Sequence, residues 1–573
     1  MAENEPWSYH PDGTPVYALA DIIRKRAAVT PEAIALGEAG RDTSFVELDR
    51  RSSQVARALR AKGVSPGDRV AYLGASGPEF AEVMYGTAKC RAIFTAVNNR
   101  LSAREVLAIL ADAEPRLVVT DPAAAALVAG YDGTVVVTGG DYEPWRDAAP
   151  AEDPGEQASP DETALLLYTS GTTGAPKGVE LTGRNLGCAL HELHTDIGLD
   201  TRSVCAAPIP FFHIAGLGML LAANLNGGNL LLEQAADMAG VLRLLVERKV
   251  THAVLVPTVL QRLLALPEAR TTDWSALSYV VYGASPIPLP VLKAATEVIG
   301  CKFLQSYGLT ESTGGFTLLG PADHVPAEEF EHRLRSAGRP MAGSPVRVVD
   351  PVTLEDCAPG QRGEVIVSGS RVMKGYWRKP EQTAEVMLPG GWLRTGDGGS
   401  FDEDGFLYLH DRLKDMIVTG GENVYPAEVE SVMTGHPAVA EVAVVGVPSD
   451  EWGESPWAVV VLTPGAEVSE AGLIAWTRDR LAHFKCPAGV TFVPSLARTA
   501  SGKLQKQAIR ASLGSVASRP RLSRPSHHTH PASHAGHASG PSATTSESLG
   551  CGSFGVRVAG GGVCLVVSEA SVP

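Results

Sequence analysis

Four apolar residues, Ala164-Leu-Leu-Leu167, run directly into Tyr168-Thr-Ser-Gly-Thr-Thr-Gly-Ala-Pro-Lys-Gly-Val179, and this junction constrains the chain more than any other stretch. The apolar run reads as a buried strand. Thr169, Ser170, Gly171, Thr172, Thr173 and Gly174 then supply two glycines and four hydroxyls before Lys177. Such a turn suits polyphosphate, because glycines let backbone N–H groups approach closely, hydroxyls donate to phosphate oxygens and the lysine offsets their charge. It is not a Walker A loop, which requires G-x-x-x-x-G-K-[ST]; here Pro176 precedes the lysine and Gly178 follows it.

Composition narrows the classes. The 573 residues, 44% hydrophobic and 20% charged, are enough for several cores and two or more domains. A net charge of −15 argues against a nucleic-acid binder but not against anionic substrates, which local basic groups and backbone N–H groups can hold. Eight cysteines without a C-x-x-C pair, and an N-terminus without a basic and apolar leader, point to a reducing cytoplasm. Residues 203–232 carry no charge, yet Pro208, Pro210, His213, Asn224 and Asn226 interrupt them, so they read as buried core or ligand lining rather than a membrane span.

Helical spacing at 17–29 and 45–62 alternates with β-rich runs at 69–73, 117–120 and 135–138, and the pattern resumes after the glycine-rich turn, with strands at 250–256 and 278–282. This predicts an α/β fold with a mixed or parallel sheet covered by helices, built as two packed α/β units. From 347 short strands and turns suggest a small barrel-like or distorted sheet, and from 411 a separate α+β unit begins. The expected domains are 1–410, 411–513 and a tail at 514–573 that is rich in Ser, Pro, Gly, Ala and His and lacks Lys and Asp. That composition reads as disorder, and its abrupt onset also resembles an out-of-frame product.

Further strings carry chemistry. In Gln305-Ser-Tyr-Gly-Leu-Thr-Glu-Ser312 an aromatic residue beside glycine can stack on a purine, while Thr310 and Glu311 offer ligands to phosphate and Mg2+. Asp397 in Gly391-Trp-Leu-Arg-Thr-Gly-Asp397 and Arg412 in Asp411-Arg-Leu-Lys-Asp415 suit a ribose diol, although either alone reads as a structural ion pair. Paired glycines in Thr419-Gly-Gly-Glu-Asn-Val-Tyr-Pro426 can absorb backbone change. His191-Glu-Leu-His194 lacks zincin spacing, and no G-x-S-x-G elbow is present.

Together these strings resemble the adenylate-forming (ANL) superfamily over about residues 15–513, and within it bacterial fatty-acyl-CoA synthetases most closely. The resemblance implies a large N-terminal domain followed by a mobile α+β C-terminal domain. It implies ATP and AMP binding by Thr169, Ser170, Gly171, Thr172, Thr173, Gly174, Lys177, Gly283, Ala284, Ser285, Ser306, Tyr307, Gly308, Thr310, Asp397, Arg412 and Lys503. Tyr307 would lie against adenine, Thr310 near the α-phosphate, and Thr169 and Glu311 on Mg2+, with Lys503, Thr310 and Glu311 catalytic. Lys503 lies in Arg498-Thr-Ala-Ser-Gly-Lys503, where Ala497 replaces the family's usual proline, and Ser285 stands where alanine is usual. Lys414 would be the hinge, and Thr419, Gly420, Gly421 and Glu422 the loop that enters for thioester formation with coenzyme A. Val372-Met-Lys-Gly-Tyr-Trp377 also matches and reads as mainly structural.

The implied reaction is attack of a carboxylate on ATP, giving acyl-AMP and diphosphate, and then displacement of AMP by CoA. His213, Ala215, Gly216, Leu217 and Gly283 would border the acyl group, and the absence of a bulky aromatic near Leu217 suggests a tunnel for medium to long fatty acids. The partner is a fatty acid or similar apolar acid and not nucleic acid; peripheral membrane contact and homo-oligomerisation stay open. Alternatives are an aryl- or cyclic-acid CoA ligase, a fatty-acyl-AMP ligase and an inactive ligand-binding relative. A peptide-synthetase module is disfavoured because no carrier-site motif follows residue 513. Lys503→Ala is expected to abolish acid-dependent diphosphate release while sparing thioester formation from supplied acyl-AMP; assaying the two half-reactions separately checks this, and equal loss of both refutes it.

Overall fold

The computed structural model describes residues 8–9, 15–16, 18–38, 40–170, 176–232, 237–285, 287–324, 328–412, 415–419, 422–449, 452–498 and 504–513. These belong to one unit, Met1–Ser518. The tail at 514–573 lies outside the described residues.

Two largely parallel sheets form the α/β part. In the first, Thr163–Ser170, Ile93–Val97, Arg69–Leu73, Leu117–Thr120 and Thr134–Val137 lie side by side and parallel. In the second, the parallel run is Lys302–Leu309, Tyr279–Gly283, His252–Val254, Val204–Ala206, Asn229–Leu231 and Ile34–Gly37. Apolar runs such as Leu117–Thr120 and Ile93–Val97 are buried along their whole length, as strands covered on both faces must be. Helices fill the crossovers, and several begin at serine caps: Ser44 Oγ accepts from Glu47 N, and Ser102 with Glu105 forms a reciprocal capping box. One continuous core, including Leu48, Val70, Phe94, Leu167, Leu217, Leu220 and Leu304, runs through both sheets.

Each parallel sheet ends in an antiparallel hairpin. Thr163–Ser170 turns back as Pro176–Thr182, and Lys302–Leu309 turns back as Gly314–Leu319. The strand before the glycine-rich turn is therefore longer than the apolar run predicts. Tyr168 and Thr169 favour extended backbone and pair with Gly178 and Lys177, which carries the ladder on to Ser170. Most of the uncharged stretch at 203–232 is interior, in strand Val204–Ala206, helix Ile214–Asn226 and strand Asn229–Leu231, while Pro208 in the connecting segment is exposed. No helix among the described residues is long and apolar enough to cross a membrane.

The later part has two smaller sheets. Val346–Val349, Gly363–Val367, Trp392–Phe401, Met387–Leu388 and Leu407–Arg412 form an antiparallel sheet. Strands Ile417–Thr419, Glu422–Val424, Val439–Ser449, Gly453–Leu462 and Gly489–Phe492 form the other. Helices Pro426–Thr434 and Glu470–Arg478 cover one face of it through Val429, Met433 and Leu473, and Leu496, Ile509 and Leu513 cover the opposite face.

A strap at residues 369–377 ties the two hairpins to one of the covering helices. Asn185 Nδ2, on helix Gly183–Ile197, donates to Ser370 O and Val372 O at 2.8 Å each, and Thr313 Oγ1 donates to Arg371 O at 2.6 Å. Arg371 is only 1% exposed and pairs with Glu192 at 3.0 Å, while Glu192 Oε1 accepts from Gly343 N at 2.8 Å. One turn beyond Glu192, Asp196 is raised to about 6 by burial and by the Glu192 charge, with Arg371 only partly opposing. Its unfolded value lies near 4, so its ionisation costs nothing below about pH 4 and its full amount above about pH 6. Stability is thus expected to fall as pH rises through that window. Asp196→Asn should stabilise the protein by about 1–2 kcal/mol at pH 8 and leave it unchanged at pH 4, as read by denaturant unfolding at the two pH values.

Candidate active site

The two hairpin turns carry two of the sequence motifs. In the first hairpin Lys177 stands directly opposite Thr169, so both side chains share one face at the mouth of the turn. Tyr168 points to the other face, where its hydroxyl donates to Asp112 Oδ2 at 2.7 Å, and Lys379 takes the other Asp112 oxygen. Gly171, Thr172, Thr173 and Gly174 lie outside the described residues, as does the side chain of Ser170.

In the second hairpin the turn is a short helical segment, Thr310–Ser312. Ser312 Oγ accepts from Leu309 N at 3.0 Å and lies 2.8 Å from Gly314 O, closing the turn on itself. The ladder bulges between Tyr307 and Gly308, and a Cβ on Gly308 would fall 1.9 Å from Gly314 O, so only glycine fits there. Glu311 projects from this turn. Its carbonyl accepts from Met373 N at 2.8 Å, and its Oε1 accepts from the Tyr376 hydroxyl at 3.0 Å.

Tyr376 joins the two hairpins. It sits in the short strand Gly375–Tyr376, opposite Val179, so its ring lies diagonal to Lys177, whose ammonium is 4.8 Å from the ring centroid. The strap was expected to be mainly structural; its Tyr376 instead contacts both Lys177 and Glu311. Only the cross-strand pairing reveals this.

A second cluster adjoins the same hairpin. The Tyr307 hydroxyl donates to Asp397 Oδ2 at 2.8 Å, and the ring packs edge-on against Phe316 at 4.9 Å. Asp397 is 7% exposed and stands opposite Arg412 in the pairing of Trp392–Phe401 with Leu407–Arg412, although the Arg412 side chain is outside the described residues. Gly283 pairs with Ser306, whose carbonyl would lie 2.2 Å from a Cβ at Gly283. The next residue, Ala284, has φ +65, a left-handed conformation rare for a residue with a Cβ, and it is exposed with Ser285 at the strand end.

On the proposed acyl side, His213 caps helix Ile214–Asn226, its Nδ1 accepting from Ala215 N at 3.2 Å. A Cβ on Gly216 would meet Ile209 O at 2.5 Å, so the helix start is pressed against the preceding segment. Leu217 is buried in the core, whereas a Cβ on Gly218 would meet nothing within 4 Å. A Cβ on Gly314 would lie 3.9 Å from Ile214 Cγ1, which places the first helical turn beside the Glu311 hairpin.

Lys414, Gly420, Gly421 and Lys503 lie outside the described residues, as does the side chain of Glu422; Thr419 ends strand Ile417–Thr419 and is buried. No group of three His, Cys, Asp or Glu that could cage a metal occurs among the described residues. Glu311 nevertheless fits Mg2+: among the described residues only its Oε1 accepts a side-chain hydrogen bond, and this ion commonly binds one or two carboxylates together with waters and substrate phosphates.

The model of the AMP-binding enzyme family matches residues 23–377, and that of the AMP-binding enzyme C-terminal domain matches residues 428–503. The chain belongs to the AMP-binding enzyme family. It is 41% identical over 497 residues to a feruloyl-CoA synthase from Amycolatopsis sp, covering 86% of this chain and 98% of that protein. It is 36% identical to the long-chain-fatty-acid–CoA ligase FadD13 of Mycobacterium tuberculosis, covering 85% and 97%. The structure of ATP-bound MatB from Rhodopseudomonas palustris superposes with a TM-score of 0.81 at 30% identity, covering 87% of this chain and 99% of that one. This AMP-binding enzyme is an adenylate-forming protein of the acid–thiol ligase class.

If Asp397 holds the nucleoside, Asp397→Ala should weaken AMP and ATP alike by about ten- to hundredfold in Kd, the scale of a hydrogen bond to a charged group. Tyr307→Phe, which removes the same contact and keeps the carboxylate, should weaken both less; calorimetric titration of each variant with AMP and ATP checks the order.

Proposed function

We propose that this enzyme activates an apolar monocarboxylic acid with ATP and transfers the acyl group to coenzyme A. The observation that carries the proposal is the convergence of Lys177, Glu311 and Tyr307 with Asp397, brought from separate motifs to neighbouring turns and strands. In the first step a carboxylate oxygen forms a bond to the α-phosphorus while the bond to the bridging oxygen breaks and diphosphate leaves. In the second, the CoA sulfur bonds to the acyl carbon and AMP departs.

Joining two anions needs positioning and charge neutralisation more than a covalent nucleophile. Lys177 and the turn of residues 171–174 would take the departing phosphates, Asp397 with Arg412 the ribose, Tyr307 and residues 283–285 the adenine side, and Thr310 the α-phosphate. Thr169 and Glu311 would hold Mg2+, which lowers the charge on the phosphates. Lys503 is assigned to the first step. The loop of Thr419, Gly420, Gly421 and Glu422 is assigned to the second, with Lys414 as the hinge between domains 1–410 and 411–513.

For the acid, the first reading is a medium to long fatty acid, entering by the open face at Gly218 beside His213 and Ala215. The second is an aryl acid, favoured because the feruloyl-CoA synthase is the more similar of the two ligases, at 41% against 36%. Diphosphate release with and without CoA, measured across C8–C16 acids, benzoate, coumarate and ferulate, separates them. Higher kcat/KM for the aromatic acids would replace the first reading by the second. Absence of acid-dependent diphosphate release across the panel would overturn both.

A further inference from the structure

Lys177 and Glu311 carry opposite charges against opposite parts of one side chain, and the described residues show no ion pair between them. Tyr376 stands between the two. Its ring faces the Lys177 ammonium at 4.8 Å from the centroid, and its hydroxyl donates to Glu311 Oε1 at 3.0 Å.

The backbone around this ring is fixed on several sides. Tyr376 N donates to Thr383 Oγ1 at 2.9 Å, Trp377 N to Gly178 O at 2.8 Å and Lys374 N to Glu180 O at 3.0 Å. Met373 N, three residues away, holds the carbonyl of Glu311 at 2.8 Å. The tyrosine, the lysine strand and the glutamate turn are thus locked to one another through main-chain bonds, and the side-chain contacts are made within that frame.

We infer that Tyr376 is a positioning residue of the nucleotide site: it holds Lys177 and Glu311 apart and leaves Glu311 Oε2 for the divalent cation that accompanies ATP. The inference rests on the function proposed above. A hydroxyl donor occupies one carboxylate oxygen without cancelling the carboxylate charge, whereas a lysine paired there would cancel it and compete with the cation. The aromatic face attracts the ammonium without using its N–H donors, which stay available for phosphate.

Two variants separate these roles: Tyr376→Phe keeps the ring and removes the donor, and Tyr376→Leu removes both. ATP binding is titrated by calorimetry at increasing Mg2+, with Mg2+-free AMP binding as the control and thermal unfolding as a check on the fold. Tyr376→Phe is expected to raise the Mg2+ concentration for half-maximal ATP binding by about tenfold, the scale seen when a group orienting a metal ligand is lost, with AMP affinity unchanged. Tyr376→Leu should raise it further and also weaken binding of diphosphate, because Lys177 is released toward Glu311. An unchanged Mg2+ midpoint in Tyr376→Phe, or equal weakening of MgATP and AMP, overturns the inference while leaving the proposed function standing. Wild-type protein that binds neither MgATP nor AMP overturns both. Should Tyr376→Leu fail to fold, the nearly isosteric Tyr376→Phe decides alone.

Discussion

The hydrogen bonds made by the strap at residues 369–377 are the constraint on which the site depends. Two parallel sheets each end in a hairpin, and nothing in the connectivity of either sheet requires Lys177 of one to lie near Glu311 of the other. The strap pairs with Pro176–Thr182 on one side and gives Met373 N to Glu311 O on the other. Asn185 and the buried Arg371–Glu192 pair hold it from behind. An ion pair buried this deeply adds little net stability, because both charges lose their water, but it strongly disfavours any arrangement that leaves one of them alone. Its contribution is to fix one arrangement of helix, strap and hairpins.

That arrangement also divides the chemistry by material. The parallel strands supply rigidity through continuous apolar burial, and their antiparallel edges supply polar function. Lys177, Glu311 and Tyr307 all lie on hairpins at such edges, and Asp397 lies on an antiparallel strand whose partner carries Arg412. A strand inside a parallel sheet has both faces covered and cannot present a charge to a ligand; a hairpin at the margin can.

Much of this was legible in the sequence, for identifiable reasons. Buried parallel strands such as Arg69–Leu73 and Leu117–Thr120 announce themselves as apolar runs, and the motifs around Lys177, Tyr307, Glu311 and Asp397 are local strings of unusual composition. The hairpin was less legible, because the apolar signal stops at Leu167 while pairing with the returning strand extends the ladder to Ser170. Tyr376 was not legible as a site residue. Its position follows from pairing with Val179, a residue remote in sequence, and no local pattern encodes a cross-strand neighbour. Short edge strands such as Arg339–Pro340 escaped for the same reason.

The alanine at 284 bears on how rigid the end of strand Tyr279–Gly283 is. Glycine would adopt φ +65 without strain, whereas alanine there costs about 1–2 kcal/mol of backbone energy. A glycine, however, would leave the end of strand Tyr279–Gly283 free to sample both signs of φ. By carrying a Cβ in the unfavourable region, the chain exchanges some stability for a strand end with fewer conformations to lose. Part of the ordering entropy of any binding at this strand end is thereby met during folding.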